Sequence, residues 1–234
     1  SLQKCFDYCN NGDTVYVDRG IYRETIRFSH KILTIIGLDT DECIIDGNDL
    51  IGPIYGPVLI LQNYGNIKFY NFTLKRKKGI NDNYSYEYWN MDGYVDIKNC
   101  IFDTTSRALI ATGDTEASSC IYRNVNAAVN ASGNYKITIS NSLMSLKMWD
   151  GNKSAIKNSV WSGSYEVYNN IIYTNDINSS YCIELCTSTG ISIKNNLIYG
   201  FEVGIVAATI GEQPDTIEII NNSIIRSEER RVGK

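Results

Sequence analysis

The sequence predicts an all-β protein, a right-handed parallel β-helix in which short strands coil around one axis. Apolar and polar residues alternate over stretches of about five residues, which is typical of strands with one buried face. A motif of the form apolar-x-apolar-x-Asn returns at intervals of 25 to 28 residues, and a fixed period of this size marks a repeat architecture. The composition, rich in Tyr, Asn and β-branched residues and with only three Pro, favours strands joined by tight corners.

A short amphipathic helix is expected before the first strand. Its apolar positions follow the i, i+3, i+4, i+7 spacing of one helical face: Leu2, Cys5, Phe6 and Cys9. Gly12 suits the left-handed conformation that ends a helix. We assign residues 1–12 to a cap, because the open end of a β-helix otherwise exposes its core and its unpaired strand edges.

The strands that follow are identified from their alternation. Residues 13–17 and 32–36 fit strands, and clear copies of the motif then end at Asn71, Asn99, Asn141, Asn195 and Asn221. Looser copies end at Asn124, Asn158 and Asn169. We interpret each copy as one coil and residues 1–225 as a single β-helix domain. The internal period of two excludes arrays of helix pairs, and the scarcity of Leu disfavours leucine-rich repeats.

The recurrent Asn has a structural explanation. Asn tolerates the left-handed backbone that a sharp corner between two strands requires. Its amide can also bond to the same residue one coil away and so form a ladder. We therefore expect these Asn residues to be stacked corners, in preference to catalytic groups.

Seven cysteines are present, and their spacing is unlike that of zinc ligands. We expect buried, reduced cysteines that pack as small apolar residues. The sequence points to no particular metal or cofactor.

Charge and hydropathy limit the expected partners. The net charge is −4, and no apolar run is long enough to cross a bilayer, so neither nucleic acid nor a membrane span is expected. The last nine residues, 226–234, depart abruptly from the strand pattern and resemble a translated sequencing adapter. We expect a non-native tail on a fragment assembled from environmental DNA, truncated at both ends and lacking further coils after residue 225.

The opening of the sequence resembles a known family. Residues 12–17, 20–24 and 45–48 are similar, in kind and in order, to the first coils of the pectin lyase-like superfamily, especially pectin methylesterases. The resemblance implies a secreted or cell-surface protein that binds or cleaves an acidic polysaccharide along its outer strand faces, by lyase or hydrolase chemistry. The catalytic signatures of these enzymes are mostly absent, because the only histidine is His30 and no Arg-Ile-Lys sequence occurs.

Outward positions of stacked strands form straight columns along which a polymer can lie. Alignment on the Asn residues predicts a first column of Lys68, Asp96, Thr138, Glu166, Ser192 and Glu218. It predicts a second column of Tyr70, Lys98, Arg123, Ser140, Tyr168 and Lys194. The cations of the second column could bind uronate carboxylates. The alternative, which we favour, is that they pair with Asp or Glu of neighbouring coils.

Two segments between strands are further candidates. Residues 75–93 place Tyr86 and Trp89 near four basic residues and could stack on sugar rings, or the aromatic side chains could pack on the coil wall. Residues 147–153 combine an acid and bases for proton transfer. The candidates for catalysis are Lys147, Asp150 and Arg123. The candidates for substrate binding are Lys98, Lys194, Tyr168, Tyr86, Trp89 and Trp149.

Two functional hypotheses remain open. The first is a carbohydrate-active enzyme, and the second is a non-catalytic surface, adhesin-like or phage tail-spike-like scaffold. Fold alone does not decide between them. An acid and base cluster in a groove, with displaced pKa values, would favour the enzyme, whereas evenly scattered charges would favour the scaffold.

Overall fold

The computed structural model describes residues 1–47, 59–62, 65–75, 86–104, 107–147, 154–158, 163–175, 181–187, 189–209 and 216–225. Within these residues the chain forms one short helix and 24 strands, and the strands pair in parallel. Strands that are neighbours in a sheet belong to successive turns of the chain, so the molecule is a β-solenoid. The predicted parallel β-helix is confirmed. In the part of the chain that the structure describes, no helix combines the length and apolar character needed to span a bilayer.

The N-terminal helix, α1 (Leu2–Tyr8), covers the first coil and confirms the predicted cap. Phe6 is buried, and its ring lies 5.3 Å from that of Phe28. The side-chain amide of Gln3 donates to the carbonyl of Arg27 at 3.0 Å and accepts from the Arg27 N–H at 2.6 Å. This amide therefore satisfies backbone groups that would otherwise form an open sheet edge.

Each coil contributes strands to three faces. Face 1 consists of the strands that lead into face 2: β1 (Thr14–Val17), β4 (Ile32–Gly37), β7 (Asn66–Tyr70), the second halves of β9 (Tyr86–Lys98) and β11 (Arg107–Ser118), β14 (Lys136–Ser140), β17 (Ser164–Tyr168), β20 (Gly190–Lys194) and β23 (Ile217–Ile220).

Face 2 is a nine-stranded sheet that follows the corners: β2 (Gly20–Tyr22), β5 (Cys43–Asp46), β8 (Thr73–Lys75), β10 (Ile101–Asp103), β12 (Ile121–Val125), β15 (Leu143–Leu146), β18 (Ile171–Thr174), β21 (Leu197–Tyr199) and β24 (Ser223–Ile225). Face 3 completes the coil: β3 (Ile26–Ser29), β6 (Leu59–Gln62), the first halves of β9 and β11, β13 (Ala127–Ala131), β16 (Ser154–Asn158), β19 (Tyr181–Thr187) and β22 (Val203–Thr209). Because β9 and β11 run from face 3 into face 1, these two faces form one 15-stranded sheet.

The core lies inside the solenoid, where side chains at equivalent positions of successive coils stack in columns. Ile35, Phe69 and Ile97 follow one another on face 1, and all three are fully buried. Each buried aliphatic or aromatic side chain stabilises the fold by about 1.5–3 kcal/mol relative to an exposed one. The alternate residues of the same strands point outward, and they are the ones that build the surface of face 1.

The corners between faces 1 and 2 are formed as predicted by six Asn residues, whose φ angles lie between 51° and 63°: Asn71, Asn99, Asn141, Asn169, Asn195 and Asn221. Two assignments are wrong. Asn124 also has a positive φ, but it lies inside β12 on face 2, at a shift of the register. Asn158 ends β16 on face 3. The corner that follows Asn99 is Ser119, with a φ of 54°.

A ladder of Asn amides is present, but its continuous part lies one residue after the corners. Between corner residues the amide contacts are longer, 3.4 Å from Asn99 to Asn71 and 3.2 Å from Asn169 to Asn141. The inner ladder runs through three Asn residues at the next position, with contacts of 3.0 and 2.9 Å: Asn170, Asn196 and Asn222. Asn170 and Asn196 are buried, so the ladder is part of the core.

In the earlier coils the same inner column contains Cys43, Phe72, Cys100, Cys120 and Ser142. All seven cysteines are free, as expected, and four are buried, but Cys5 is exposed although the helical spacing placed it on the apolar face. Burial raises the pKa of the Cys100 and Cys120 thiols well above the ordinary value, which keeps both thiols protonated.

Candidate functional site

The outward surface of face 1 carries a column of carboxylates. The register confirms the predicted order Lys68, Asp96, Thr138, Glu166, Ser192 and Glu218, and it inserts Glu116 between Asp96 and Thr138. Asp96 and Glu116 are therefore direct neighbours in adjacent strands. Parallel strands in one sheet lie about 4.8 Å apart.

The second predicted column needs one correction. Tyr70, Lys98, Ser140, Tyr168 and Lys194 follow one another on face 1, with Ser118 at the position assigned to Arg123. Arg123 lies on β12 of face 2, where its Nη2 atom contacts Asp103 Oδ2 at 2.9 Å. The error arose because the alignment took Asn124 for a corner.

A groove of about 270 Å³ lies on face 1 across β9, β11, β14 and β17. We call it the face 1 groove. Its lining combines carboxylates, hydroxyls and one ammonium: Tyr94, Asp114, Thr115, Glu116, Lys136, Thr138, Glu166 and Tyr168. The three intervals between these four strands extend over about 14 Å along the solenoid axis.

Asp96 is the register partner of Glu116 on the next strand, although it is not part of the groove lining. Its Oδ2 atom accepts hydrogen bonds from Tyr70 Oη at 2.5 Å and from Lys98 Nζ at 3.0 Å. The residue is only 4% exposed. Its Oδ1 atom is buried and accepts no hydrogen bond from any residue that the structure describes. Buried polar atoms are normally hydrogen-bonded, so this oxygen is an exception.

The neighbours of Asp96 are held in their proton-donating forms. Burial raises the pKa of Tyr70 far above its ordinary value, and the hydrogen bond to Asp96 raises it further. The hydrogen bond to Asp96 also raises the pKa of Lys98, against the effect of burial. Tyr70 therefore remains a phenol and Lys98 an ammonium at neutral pH, so Lys98 is poorly suited to act as a base.

Glu116 lines the groove and accepts few hydrogen bonds from the protein. Among the described residues it accepts one long hydrogen bond, from Tyr94 Oη at 3.4 Å. Burial raises the pKa of Tyr94 to about 12, with further contributions from the charges of Asp96 and Glu116. Asp114, at the near rim, accepts a hydrogen bond from the Lys136 N–H at 2.8 Å.

At the other end of the groove the charges are paired. Lys136 Nζ lies 2.9 Å from Glu166 Oε1, and Thr138 Oγ1 donates to Glu166 Oε2 at 3.3 Å. Beyond the groove, Lys194 Nζ lies 2.6 Å from Glu218 Oε2. Exposed pairs of this kind contribute little stability, about 0–1 kcal/mol, but they neutralise the cations.

The cations that the sequence singled out for uronate binding are all paired with carboxylates. Lys194 and Arg123 pair across coils, which confirms the alternative favoured from the sequence, whereas Lys98 pairs with Asp96 within its own strand. None of these three side chains is available as an unpaired cation on face 1.

The other predicted site residues lie elsewhere. Lys147 is exposed and directly follows β15 on face 2, so it and Arg123 both lie outside the face 1 groove. Tyr86 and Trp89 belong to the face 3 half of β9, and their side chains are outside the described part of the chain. Trp149, Asp150 and the segment 226–234 are also outside the described residues. The proposed catalytic role of Lys147, Asp150 and Arg123 stays a prediction.

Five residues of the groove were absent from the sequence-based candidates: Tyr94, Asp114, Thr115, Glu116 and Lys136. The strand that carries Asp114 and Glu116 could have been found from the alternation of residues 114–118 alone, without a terminal Asn. Among the described residues, no group of three or more His, Cys, Asp or Glu side chains is arranged to hold a metal ion.

Fold and groove together define a parallel β-helix with a carboxylate- and tyrosine-lined groove on one face. No protein-family model matches the sequence, and no curated protein matches it.

Proposed function

We propose that the protein is carbohydrate-active and binds a polysaccharide along the face 1 groove. The observation that carries this proposal is a groove crossing four strands in register, lined by carboxylates and two tyrosines. Carboxylates are strong acceptors for sugar hydroxyls, and tyrosine rings offer flat apolar faces. The resemblance of the first coils to the pectin lyase-like superfamily supports the same class and a secreted or cell-surface location.

The chemistry best supported by this groove is glycoside hydrolysis. Glycosidases use two carboxyl groups that flank the scissile bond, and different surroundings give the two groups different roles. Asp96 and Glu116 are neighbours in register with contrasting surroundings, since Asp96 is buried with two donors and Glu116 lines the groove. We assign Glu116 to contact the glycosidic bond and Asp96 to act beside it. Lyase chemistry with Lys98 as the base is disfavoured by the raised pKa of Lys98.

The test is release of reducing ends from a panel of neutral, cationic and acidic polysaccharides. Wild-type protein is expected to cleave at least one of them, and Glu116→Gln to lose activity by about 100-fold or more. Glu218→Gln is the matched control, because Glu218 lies in the same column but outside the groove lining. Equal activity of Glu116→Gln and wild type would refute the assignment, and thermal unfolding of each variant checks that it is folded.

A second candidate function is a non-catalytic surface protein that binds glycans. The pairing of Lys98, Lys136 and Lys194 with carboxylates favours this function. Ion pairs of this kind are common on protein surfaces that carry no catalytic site. Binding of an oligosaccharide without any product from the panel would select this function over hydrolysis.

A further inference from the structure

The charge of the face 1 groove bears on the chemical class of its ligand. The lining contains three carboxylates, Asp114, Glu116 and Glu166, and one ammonium, Lys136. That ammonium lies 2.9 Å from Glu166, and the nearby Lys98 lies 3.0 Å from Asp96. The groove is therefore an anionic surface on which Lys136 and the nearby Lys98 are already paired, and it would repel a polyanion.

Glu116 is a groove acceptor with unused acceptor positions, and an unpaired acceptor of Asp96 lies buried next to it. Glu116 accepts one hydrogen bond of 3.4 Å among the described residues, although an ionised carboxylate has about four acceptor positions. Asp96, its register partner, has a buried Oδ1 atom without a donor in the described part of the chain. Glu116 is half-buried, so its unused acceptor positions are open to a donor in the groove, whereas Asp96 Oδ1 adds negative charge beneath it.

The aromatic residues fit the same kind of donor. Tyr94 stands on β9 and Tyr168 on β17, on either side of the strands that carry Glu116 and Thr138. Tyrosine rings attract ammonium groups through their negative faces and also stack on sugar rings. A ligand that carries both ammonium groups and sugar rings would use every part of the lining.

We infer that the face 1 groove binds an oligosaccharide of unacetylated amino sugars, with an ammonium group seated against Glu116 between the tyrosines. The inference rests on the proposed function, since it names the saccharide that the same groove accepts. It replaces, for this groove, the acidic polysaccharide that the family resemblance implied. A uronate carboxylate placed there would face Glu116 and Asp114 with no unpaired cation among the described groove residues.

The test compares three oligosaccharides of equal length by titration calorimetry at low salt: oligoglucosamine, its N-acetylated counterpart and oligogalacturonate. The measurements are made below the pKa of the sugar amine. Oligoglucosamine is expected to bind about tenfold or more tightly than the acetylated oligomer, since an ion pair with the Glu116 carboxylate replaces a hydrogen bond from an uncharged N–H. The advantage should shrink as salt is added and should be lost in Glu116→Gln, while Glu218→Gln keeps it.

The outcomes separate the two proposals. Equal affinity for the oligoglucosamine and its acetylated form would overturn the inference and leave the proposed function intact. Tightest binding of oligogalacturonate would do the same. If none of the three oligosaccharides binds and no polysaccharide of the panel is cleaved, both proposals are wrong.

Discussion

Replacement of Asn196 by alanine tests whether the inner amide ladder stabilises the solenoid. The side chain of Asn196 takes part in four hydrogen bonds. Its Nδ2 donates to the Val167 carbonyl and to Asn222 Oδ1, both at 2.9 Å. Its Oδ1 accepts from the backbone N–H and the Nδ2 of Asn170, both at 3.0 Å. The residue is 2% exposed, so water cannot replace these bonds without opening the core.

The cost follows from the groups that lose a partner. In Asn196→Ala the Asn170 N–H loses its acceptor and the Val167 carbonyl loses its side-chain donor. Asn170 Nδ2 keeps its bond to the Ile139 carbonyl, and Asn222 Oδ1 keeps the backbone N–H of Asn196. The Val167 carbonyl keeps the ladder bond that the pairing of Tyr168 with Lys194 provides, so the Asn170 N–H is the group left unsatisfied, at a cost of about 1–3 kcal/mol. With about 1 kcal/mol for the lost bond to Val167, the expected loss is about 2–4 kcal/mol in the free energy of unfolding.

Urea unfolding followed by circular dichroism measures this loss as a shift of the midpoint at constant slope. Asn195→Gly is the matched control, because Asn195 is an exposed corner with a φ of 55°, which glycine adopts without strain. The control should change stability by less than about 1 kcal/mol. A loss below about 1 kcal/mol in Asn196→Ala would show that the ladder is a by-product of the corners and not a source of stability.

Two further predictions concern single side chains. The Tyr122 hydroxyl is buried without a partner among the described residues, while its ring stacks on Phe102 at 4.9 Å. Tyr122→Phe should therefore raise the free energy of unfolding by about 1 kcal/mol in the same urea assay, and a decrease would contradict the reasoning. Burial raises the pKa of Glu24, but hydrogen bonds from the first three residues outweigh this and lower the pKa below its ordinary value. Since a lowered pKa stabilises the fold above the unfolded value of about 4.3, the docking of α1 should weaken as the pH falls through the folded pKa. Hydrogen exchange of α1 should show this loss in wild type but not in Glu24→Gln, and identical pH profiles would refute it.

The fold was predictable because its two determinants are local. Alternation with a period of two specifies strands with one inward face, and residues such as Asn99 and Asn141 mark corners where only a few residue types tolerate a positive φ. Asn124 has the same sequence context and even the same backbone conformation, yet it lies inside a face 2 strand. A local pattern reports a left-handed residue but not which bend of the coil it forms.

The groove was less predictable because the face 1 strand at its centre is not followed by an Asn corner. Residues 114–119 end in Ser119, and small or polar residues fill inward positions, such as Thr115 and Ala117. Without that coil the alignment could not place Glu116 beside Asp96. The inner ladder does have a signal in the sequence, since Asn-Asn pairs occur at 169–170, 195–196 and 221–222. Ion pairs such as Lys98 with Asp96 depend on side-chain conformations that spacing alone does not fix.

Parallel pairing on face 1 keeps successive coils in register beside the corners, both where the inner ladder is present and in the earlier coils that lack it. Length variation is thereby confined to the connections among the other faces, so that corners follow one another after 20 residues at Ser119 and 28 at Asn169 with no break in the face 1 pairing. Insertions in those connections therefore leave the spacing between neighbouring carboxylates of face 1 unchanged. Such a scaffold can vary its loops freely while the chemistry beside the corner column keeps its geometry.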